Sequence, residues 1–297
     1  MKRLSLMSLI LSMTVFGTIG VFRNYIPFPS AFLAMSRGFI GALFILLFLI
    51  LSKKGINFKS IKNNLKVLII TGVFIGINWI LLFESYKYTT VAIATLCYYM
   101  APLFVTVASG IFFGERLTAK KIICVLGALV GMVLVSGVAD GEMPSGTSLI
   151  GIILGLGAAL FYASVTLISK KVHDISAFDM TLVQLFSAAI VVVPYTVLFE
   201  KVEFSMVSAT AIWLTLTVGI LHTGISYVMY FTSVKNLEAS KVAIFSYLDP
   251  IIAIILSAVI LDENMSVAAT IGAVLILAFA LMSELKLSPL RKKGKKL

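Results

Sequence analysis

The sequence predicts an all-α membrane protein of ten transmembrane helices, arranged as two inverted repeats of five helices each. Three observations lead to this prediction: an apolar composition, ten apolar spans of membrane length, and an internal repeat. Of the 297 residues, 60% are hydrophobic and only 12% are charged. Soluble domains contain about 45 to 50% apolar and about 25% charged residues, so this composition indicates a lipid bilayer as the solvent.

The ten apolar spans are each roughly 20 residues long, the length that crosses the hydrocarbon core. Numbered in chain order, they cover residues 4–22, 30–52, 65–86, 89–113, 118–137, 147–168, 177–199, 208–234, 237–261 and 266–285. With the N-terminus inside, 20 basic residues lie on the inner side, and only Arg23, Lys87 and Lys201 lie on the outer side. Both termini are therefore predicted to lie in the cytoplasm, and the protein is predicted to lie in the plasma membrane. Topology explains the net charge of +11, so nucleic acid is not a predicted partner.

An internal repeat relates the two halves of the chain at a separation of 148 residues, without a gap. The repeated pairs are Gly76 and Gly224, Phe83 and Phe231, Lys87 and Lys235, Tyr99 and Tyr247, Pro102 and Pro250, Ser109 and Ser257, and Glu115 and Glu263. Because five is an odd number of spans, the second copy enters the membrane with the opposite orientation. The predicted domains are a first repeat at 1–137, a second at 138–285, and a basic tail at 286–297 on anionic lipid headgroups.

Two charged side chains lie inside spans of the first repeat. Arg37 in span 2 is about a third of the way across, where an unpaired guanidinium costs at least about 2.5 kcal/mol, so it needs a partner or water. Glu84, near the outer end of span 3, is placed to pair with Arg37 or, one turn along its own helix, with Lys87. A direct role for Glu84 with substrate or protons is the other open interpretation. Trp79 precedes Glu84 on the same span.

Span 4 carries a polar stripe that includes Tyr99 and Pro102, with Tyr98 beside it. Pro102 has no N–H, so it leaves the carbonyl of Tyr98 without its helical partner near the membrane midplane. Such backbone is tolerated only against protein, side-chain donors or a water-filled cavity. Pro102 and its counterpart Pro250 are therefore candidate hinges, with a packed kink as the alternative interpretation.

Span 8 places His222 near the centre of the bilayer, and Tyr230 follows two turns later. Two interpretations of His222 remain open. One is a neutral histidine bonded to a neighbouring helix, and the other is a proton-linked or substrate-binding group.

Span 9 brings together Ser246, Tyr247, Asp249 and Pro250. The counterpart of Asp249 in the first repeat is Ala101, so the acid breaks the internal symmetry. A residue present in only one copy is not required by the fold of the repeat. Asp249 is therefore the strongest candidate for a functional group.

A family resemblance rests on residues 76–96, on Ala101-Pro102, and on residues 113–118 with Glu115 among them. These segments resemble the EamA-type signature of the drug/metabolite transporter superfamily. Ser36-Arg37-Gly38, Asp249-Pro250 and Asp262-Glu263 are similar to the matching family positions. The resemblance implies ten helices in two EamA-like domains, a central cavity between them, and secondary transport, frequently export, of amino acids, nucleotide precursors, amines or other small metabolites.

The leading functional hypothesis is therefore a secondary active transporter, not an enzyme, that moves a small polar or amphipathic solute by alternating access. The expected cavity lining is aromatic, formed by Trp79, Tyr98, Tyr99, Tyr227, Tyr230 and Tyr247, with Asp249 and His222 as charge or proton partners. No Walker-type phosphate loop is present, so ATP is not the direct drive, and proton coupling and exchange against a counter-substrate both stay open. No cofactor or metal motif is expected.

Two other classes are weighed against transport. A polytopic enzyme acting on a lipid-linked substrate needs an acidic or histidine cluster for metal and pyrophosphate, and the sequence offers no such spacing. An ion channel predicts rings of charge, which a single asymmetric acid does not supply.

The topology gives a first testable prediction. A reporter that is active only in the cytoplasm should be active when it is fused at either end of the chain. The same reporter inserted into the outer loop at residues 138–146 is the control and should be inactive. Opposite results for the two ends would contradict the even number of spans and the inverted repeat.

Overall fold

A computed structural model describes residues 2–53, 55–101, 103–105, 107–108, 118–135, 146–169, 172, 174–203, 205, 207–237, 245–246, 248–263 and 265–284. Pro102, Tyr247 and Glu115 lie outside these described residues, as does the basic tail. The prediction that Pro102 acts as a hinge is therefore not addressed by the structure.

The described residues are helical and include no strand. In the first half, α1 is Lys2–Gly17, α2 is Ile19–Tyr25, α3 is Ser30–Leu51, α4 is Phe58–Tyr88, α5 is Val91–Tyr98 and α6 is Ala119–Val135. In the second half, α7 is Gly146–Ser169, α8 is Ala177–Phe199, and α9 is Ala209–Thr217. A π-helix follows at Val218–Ile225, and then come α10 at Ser226–Asn236, α11 at Leu248–Ile260 and α12 at Val267–Glu284.

Six stretches among the described residues are long and apolar enough to cross a membrane: Arg3–Tyr25, Ser30–Leu51, Phe58–Tyr88, Thr147–Ser169, Ala177–Phe199 and Ala209–Ser233. They coincide with predicted spans 1, 2, 3, 6, 7 and 8. Shorter apolar helices at Ile93–Val105, Ile122–Gly131, Leu248–Ile260 and Val267–Phe279 fall within spans 4, 5, 9 and 10. The helical membrane class is confirmed, whereas the count of ten spans stays a prediction.

Contacts between helices recur between the helices, or spans, that correspond to them under the same 148-residue shift that relates the sequences. Helix α4 packs against α7 and α8, and the corresponding contacts join α10 to α1 and the π-helix to α3. Helix α1 packs against α11, which belongs to span 9, and α7 packs against α5, which belongs to the counterpart span 4. Two further pairs, α3 with α8 and α6 with α12, consist of helices that are each other's counterparts. Helices from both halves thus share one core, while the inverted orientation of the halves stays a prediction.

Two carboxylates tie helix N-termini to the opposite half of the chain. Glu200, which follows α8, accepts hydrogen bonds from the backbone N–H groups of Ala31 at 2.9 Å and Phe32 at 2.7 Å. Glu263, which follows α11, accepts one from the N–H of Val91 at 3.0 Å. The first N–H groups of a helix lack intrahelical partners and carry positive partial charge, so a carboxylate there is stabilising. The glutamate just past span 9 therefore caps the helix that begins span 4.

We expect Glu200→Ala to lower stability by about 1 to 2 kcal/mol, because two N–H groups of α3 lose their acceptor and the helix dipole loses its counter-charge. Thermal unfolding of the purified protein in detergent measures the effect, and Glu200→Gln should be intermediate. The exposed Glu203 lies three residues further on, so Glu203→Gln is the matched control. Equal melting temperatures for Glu200→Ala and the control would contradict the capping role.

Candidate functional site

The first span is interrupted where it meets the second half of the protein. Helix α1 ends at Gly17 and α2 starts at Ile19, with Thr18 between them. A Cβ atom at Gly17 would lie 2.7 Å from the carbonyl oxygen of Asp249 and 2.8 Å from the Cβ of Ile252. Only glycine allows this approach of α1 to α11. The interruption therefore sits directly against the helix that carries Asp249.

A π-helix in span 8 holds two of the central polar residues. Side-chain hydrogen bonds reach five residues back, from Thr223 to the carbonyl of Val218 at 2.9 Å and from Ser226 to that of Leu221 at 2.8 Å. Such wide turns are rare and are frequent at functional sites. In this segment, His222 contacts Thr18 on the first span and Thr223 contacts Arg37 on α3.

Arg37 is buried between the two halves of the chain. Its Nε atom donates a hydrogen bond to the hydroxyl of Thr223 at 2.8 Å. Its guanidinium carbon lies 4.3 Å from the ring centroid of Trp79 and 5.4 Å from that of Phe83. Within the described part of the chain, no carboxylate lies within 4.0 Å of Arg37; the ion pair present there joins Lys87 and Glu84. Arg37 is therefore stabilised by a hydroxyl and by ring faces, and its charge is not neutralised by an acid of this region.

Trp79 and Tyr227 are counterparts in the internal repeat and bond to each other. The indole Nε1–H of Trp79 donates to the Tyr227 hydroxyl at 3.1 Å, across a sequence separation of 148 residues. If a two-fold axis relates the two halves, as the internal repeat predicts, equivalent positions such as these would meet near that axis. Arg37, which lies over Trp79, would then also be close to it.

Partly exposed tyrosines continue this polar region from Tyr227 towards α5 and α7. The rings of Tyr98 and Tyr162 lie 5.4 Å apart, and the hydroxyls of Tyr162 and Tyr230 lie 3.4 Å apart. Tyr99 is buried, and its ring is 5.7 Å from that of Tyr98. The predicted aromatic lining formed by Trp79, Tyr98, Tyr99, Tyr227 and Tyr230 thus assembles in one region, while Tyr247 lies outside the described residues.

Asp249 contacts a different member of this aromatic region from the one that Arg37 contacts. Its carboxyl group is hydrogen-bonded to the Tyr99 side chain, whereas Arg37 lies over Trp79. Tyr86 and Tyr227 are each within electrostatic range of both Asp249 and Arg37. No cation of the described chain lies within 4.0 Å of the Asp249 carboxylate. Two side chains of opposite charge thus border the aromatic region, which we call the tyrosine cluster (Trp79, Tyr86, Tyr98, Tyr99, Tyr162, Tyr227, Tyr230).

His222 is fully buried at the edge of the tyrosine cluster. Its Nε2 atom is 2.8 Å from the hydroxyl of Thr18, and its ring lies edge-on to Phe22 with centroids 4.7 Å apart. These contacts match the interpretation of a histidine bonded to a neighbouring helix. They join the π-helix to the interruption between α1 and α2.

Glu84 is not part of the tyrosine cluster. Its carboxylate pairs with Lys87 at 2.6 Å, one turn further along α4, so pairing with Arg37 does not occur. The intrahelical partner is adopted because residues three apart on a helix are already neighbours.

Two further predicted residues of span 9, Ser246 and Pro250, are among the described residues. Ser246 is described and partly exposed, one turn before Asp249. Pro250 is buried near the start of the described part of α11, which covers Leu248–Ile260. Residues 245–246 are also helical, and Tyr247 between them and α11 lies outside the described residues. The role of Pro250 as a hinge or as a packed kink therefore stays a prediction.

Sequence reasoning missed Thr18, Thr223 and Tyr86. Hydroxyl residues in apolar spans usually bond to their own helix backbone, so their identity gives no signal for a partner on another helix. The nearest usable signal was the pair Gly219 and Gly224, which flanks His222 and Thr223. A Cβ at Gly219 would lie 2.5 Å from the Cβ of Ile40, so α3 packs closely against the π-helix.

Charged side chains that lie inside a helical membrane bundle without an oppositely charged partner are typical of proteins that move solutes across membranes. Comparison with known proteins identifies the family. The model of the EamA-like transporter family matches residues 3–137 and 149–284, so the chain belongs to the EamA-like transporter family.

Several relatives carry transporter names. The uncharacterized transporter YxxF of Bacillus subtilis is 29% identical over 99% of this chain and 92% of its own length. A protein of Escherichia coli named "probable amino-acid metabolite efflux pump" is 29% identical over 60% of this chain and 62% of its own length. A solved crystal structure matches with a TM-score of 0.69 and 18% identity, covering 94% of this chain and 96% of that one. That last likeness supports the fold alone.

The contact between Arg37 and Thr223 can be tested by Thr223→Val, which keeps the side-chain shape and removes the acceptor. We expect a loss of about 1.5 to 3 kcal/mol in stability, because a charged donor is left buried without a partner. Thr215→Val is the matched control, since the buried Thr215 hydroxyl bonds only to the carbonyl of Ala211 in its own helix, at 2.8 Å. Unfolding in mixed micelles measures both variants, and equal losses would contradict the anchoring role of Thr223.

Proposed function

We propose that this protein is a secondary active transporter that exports or exchanges a small zwitterionic metabolite of the amino-acid class by alternating access. Transport is the function of its family. The substrate class and mechanism are inferred from the site.

The observation that carries the proposal is a pair of unneutralised charges at the tyrosine cluster, Arg37 at Trp79 and Asp249 at Tyr99. Arg37 is 3% exposed and Asp249 is partly exposed. Neither has an oppositely charged partner within 4.0 Å among the described residues. A charge held at this depth without a partner costs at least about 2.5 kcal/mol. A zwitterion would neutralise both, with its carboxylate at Arg37 and its ammonium group at Asp249.

The remaining wall of the site suits the rest of such a molecule. Trp79 and the tyrosines present ring faces to apolar groups and hydroxyls to polar ones. The rings of Phe16 and Tyr227 lie 5.4 Å apart, which adds an apolar surface next to the polar one. A small amphipathic side chain fits this mixed lining better than a sugar or an inorganic ion would.

Alternating access follows from the two halves if they are inverted, as the odd number of spans in each repeat predicts. Opening of one half towards the outside then corresponds to opening of the other towards the inside. The interruption at Gly17-Thr18 and the π-helix are points where backbone hydrogen bonding is already irregular, and Pro102 and Pro250 are further candidate hinges. Because the sequence has no phosphate-binding loop, proton movement or a counter-substrate would drive the cycle. Asp249 and His222 are the proposed coupling groups.

The relatives support export of an amino-acid-like solute without establishing it here. One of them is named as an amino-acid metabolite efflux pump. With both termini in the cytoplasm, the protein would act in the plasma membrane. The family membership favours transport over the alternative of a lipid-modifying membrane enzyme.

Transport by purified protein in liposomes tests the proposal. The panel contains labelled amino acids and two sets of analogues. The amine analogues lack the carboxylate, and the acid analogues lack the amine. Comparing the three sets identifies the substrate class. We expect uptake of zwitterions to exceed that of both analogue sets. Asp249→Asn should reduce transport of the zwitterion at least about 30-fold, because the ammonium group loses its charge partner. In this variant, the ratio of zwitterion transport to transport of the acid analogue should also fall. In Arg37→Gln, the ratio of zwitterion transport to transport of the amine analogue should fall.

Asp262→Asn is the matched control, since it makes the same chemical change at an exposed position beyond the end of α11. Its transport should equal that of the wild type. Unaltered transport by Asp249→Asn, in protein that inserts and purifies normally, would remove this residue from the site. Equal transport of zwitterions and singly charged analogues would overturn the substrate class.

A further inference from the structure

A cavity of about 530 Å³ lies away from the tyrosine cluster, at the end of the bundle predicted to be cytoplasmic. It is formed by the segment that joins α3 to α4 and the segment that precedes α8, one from each half. Its lining includes Asn57, Phe58, Ser60, Asp174, Phe178 and Asp179. Ligand cavities in proteins span about 300 to 1,000 Å³, so this one has room for a small organic molecule.

The ionisable groups that line this cavity are two acids, Asp174 and Asp179. Asp174 is exposed at the rim, whereas Asp179 is only 3% exposed. Ser176 and Asp179 form a capping arrangement at the start of α8: the Ser176 hydroxyl donates to Oδ2 of Asp179 at 2.8 Å and accepts from its N–H at 3.0 Å. The cap uses only one carboxylate oxygen. The other, Oδ1, is buried without a hydrogen-bond partner among the described residues.

Asp179 is a buried negative charge beside the cavity, and such a charge favours a ligand that brings positive charge into the cavity. Among the described residues, no lysine, arginine or histidine lies within 4.0 Å of Asp174 or Asp179. Helix capping therefore accounts for the position of Asp179 but leaves half of its acceptor capacity unused. Asp174 adds a second negative charge at the mouth of the same cavity.

The walls distinguish an organic cation from a metal ion. Phe178 is stacked on Phe48 with centroids 5.2 Å apart, and it faces the cavity together with Phe58 and Leu49. Two carboxylates with no third acid, histidine or cysteine among the described residues form a poor cage for a divalent ion. Aromatic rings beside carboxylates are suited to an ammonium group on an apolar body.

We propose that this cavity is a binding site for small organic monocations of the primary-amine class, with Asp179 and Asp174 as the charge partners and Phe58 and Phe178 as the apolar wall. The site is separate from the tyrosine cluster and does not depend on the proposed transport of zwitterions. Its occupant would be held at the cytoplasmic end of the boundary between the two halves.

Protection of an introduced thiol tests the site directly. The full chain carrying Ser60→Cys, with Cys97→Ala and Cys124→Ala to remove the native thiols, is reconstituted in nanodiscs and treated with a neutral maleimide. Phenethylammonium is the probe, and 2-phenylethanol is its uncharged analogue. At ten times its dissociation constant, the probe should slow labelling about tenfold, because only the unoccupied fraction reacts. The uncharged analogue should give little protection.

Matched variants decide whether the acids are responsible. Asp174→Asn should weaken phenethylammonium protection at least about tenfold through loss of a charge partner. It is a safe substitution, because Asp174 is exposed and has a φ of 49°, which asparagine tolerates. Asp179→Asn should do the same while keeping an acceptor for Ser176. Asp249→Asn should retain full protection, which separates this site from the tyrosine cluster.

Four outcomes would overturn the proposal. The first is that 2-phenylethanol protects the Ser60→Cys thiol as well as phenethylammonium does, and the second is that magnesium ions alone protect it fully. The third is that phenethylammonium equally protects a thiol introduced by Asn63→Cys, at an exposed position of α4 outside the cavity. The fourth is that protection by phenethylammonium is unchanged in both aspartate variants.

Discussion

The contact of Arg37 with Thr223 and Trp79 is the constraint on which the rest of the central region depends. The guanidinium of Arg37 is buried in an apolar bundle, so its neighbours must supply both a hydrogen-bond acceptor and polarisable surface. Thr223 provides the acceptor because the π-helix turns its hydroxyl towards α3. Trp79 provides the ring face and is itself fixed by Tyr227, its counterpart in the second half. A single charge thereby joins α3, α4 and the π-helix across the contact between the halves.

The irregular backbone segments have a shared physical role in this arrangement. In the π-helix, the hydroxyls of Thr223 and Ser226 bond to carbonyl groups five residues back, at Val218 and Leu221. The same segment contacts the first span through His222 and Thr18, and α3 through Thr223 and Arg37.

At the interruption of the first span, the Thr18 hydroxyl bonds to the carbonyl of Val15 and also reaches His222. Gly17 beside it lets α1 touch the backbone of Asp249. The Nδ1 atom of His222 is left without a hydrogen-bond partner among the described residues, so this polar connection is not fully satisfied.

The sequence was sufficient for features that depend on many residues at once. Apolar spans and the 148-residue repeat predicted the membrane class and brought Trp79, Tyr98, Tyr99, Tyr230, Asp249 and Arg37 forward as site residues, and all of these lie in or beside one polar region. Features decided by a single partner could not be predicted. For Glu84, the sequence left both Arg37 and Lys87 as candidate partners, and only the fold shows that Glu84 pairs with Lys87. The π-helix has no propensity signal, and a threonine that anchors an arginine looks like any other in an apolar span.

The two unneutralised charges occupy positions where the repeat is asymmetric. The counterpart of Arg37 is Leu185 and that of Asp249 is Ala101, and both counterparts are buried. Each half therefore contributes one charge, of opposite sign, to the proposed site. If the halves rock against each other, the separation of Arg37 and Asp249 must change, because they belong to different moving bodies. A zwitterion has a fixed distance between its ammonium and carboxylate groups, so it would bind best in states that match that distance. Binding energy would then favour particular arrangements of the two halves. A singly charged analogue would contact only one of the two charged residues, so its binding would depend little on the separation of Arg37 and Asp249. It would therefore have little influence on which side of the protein is open.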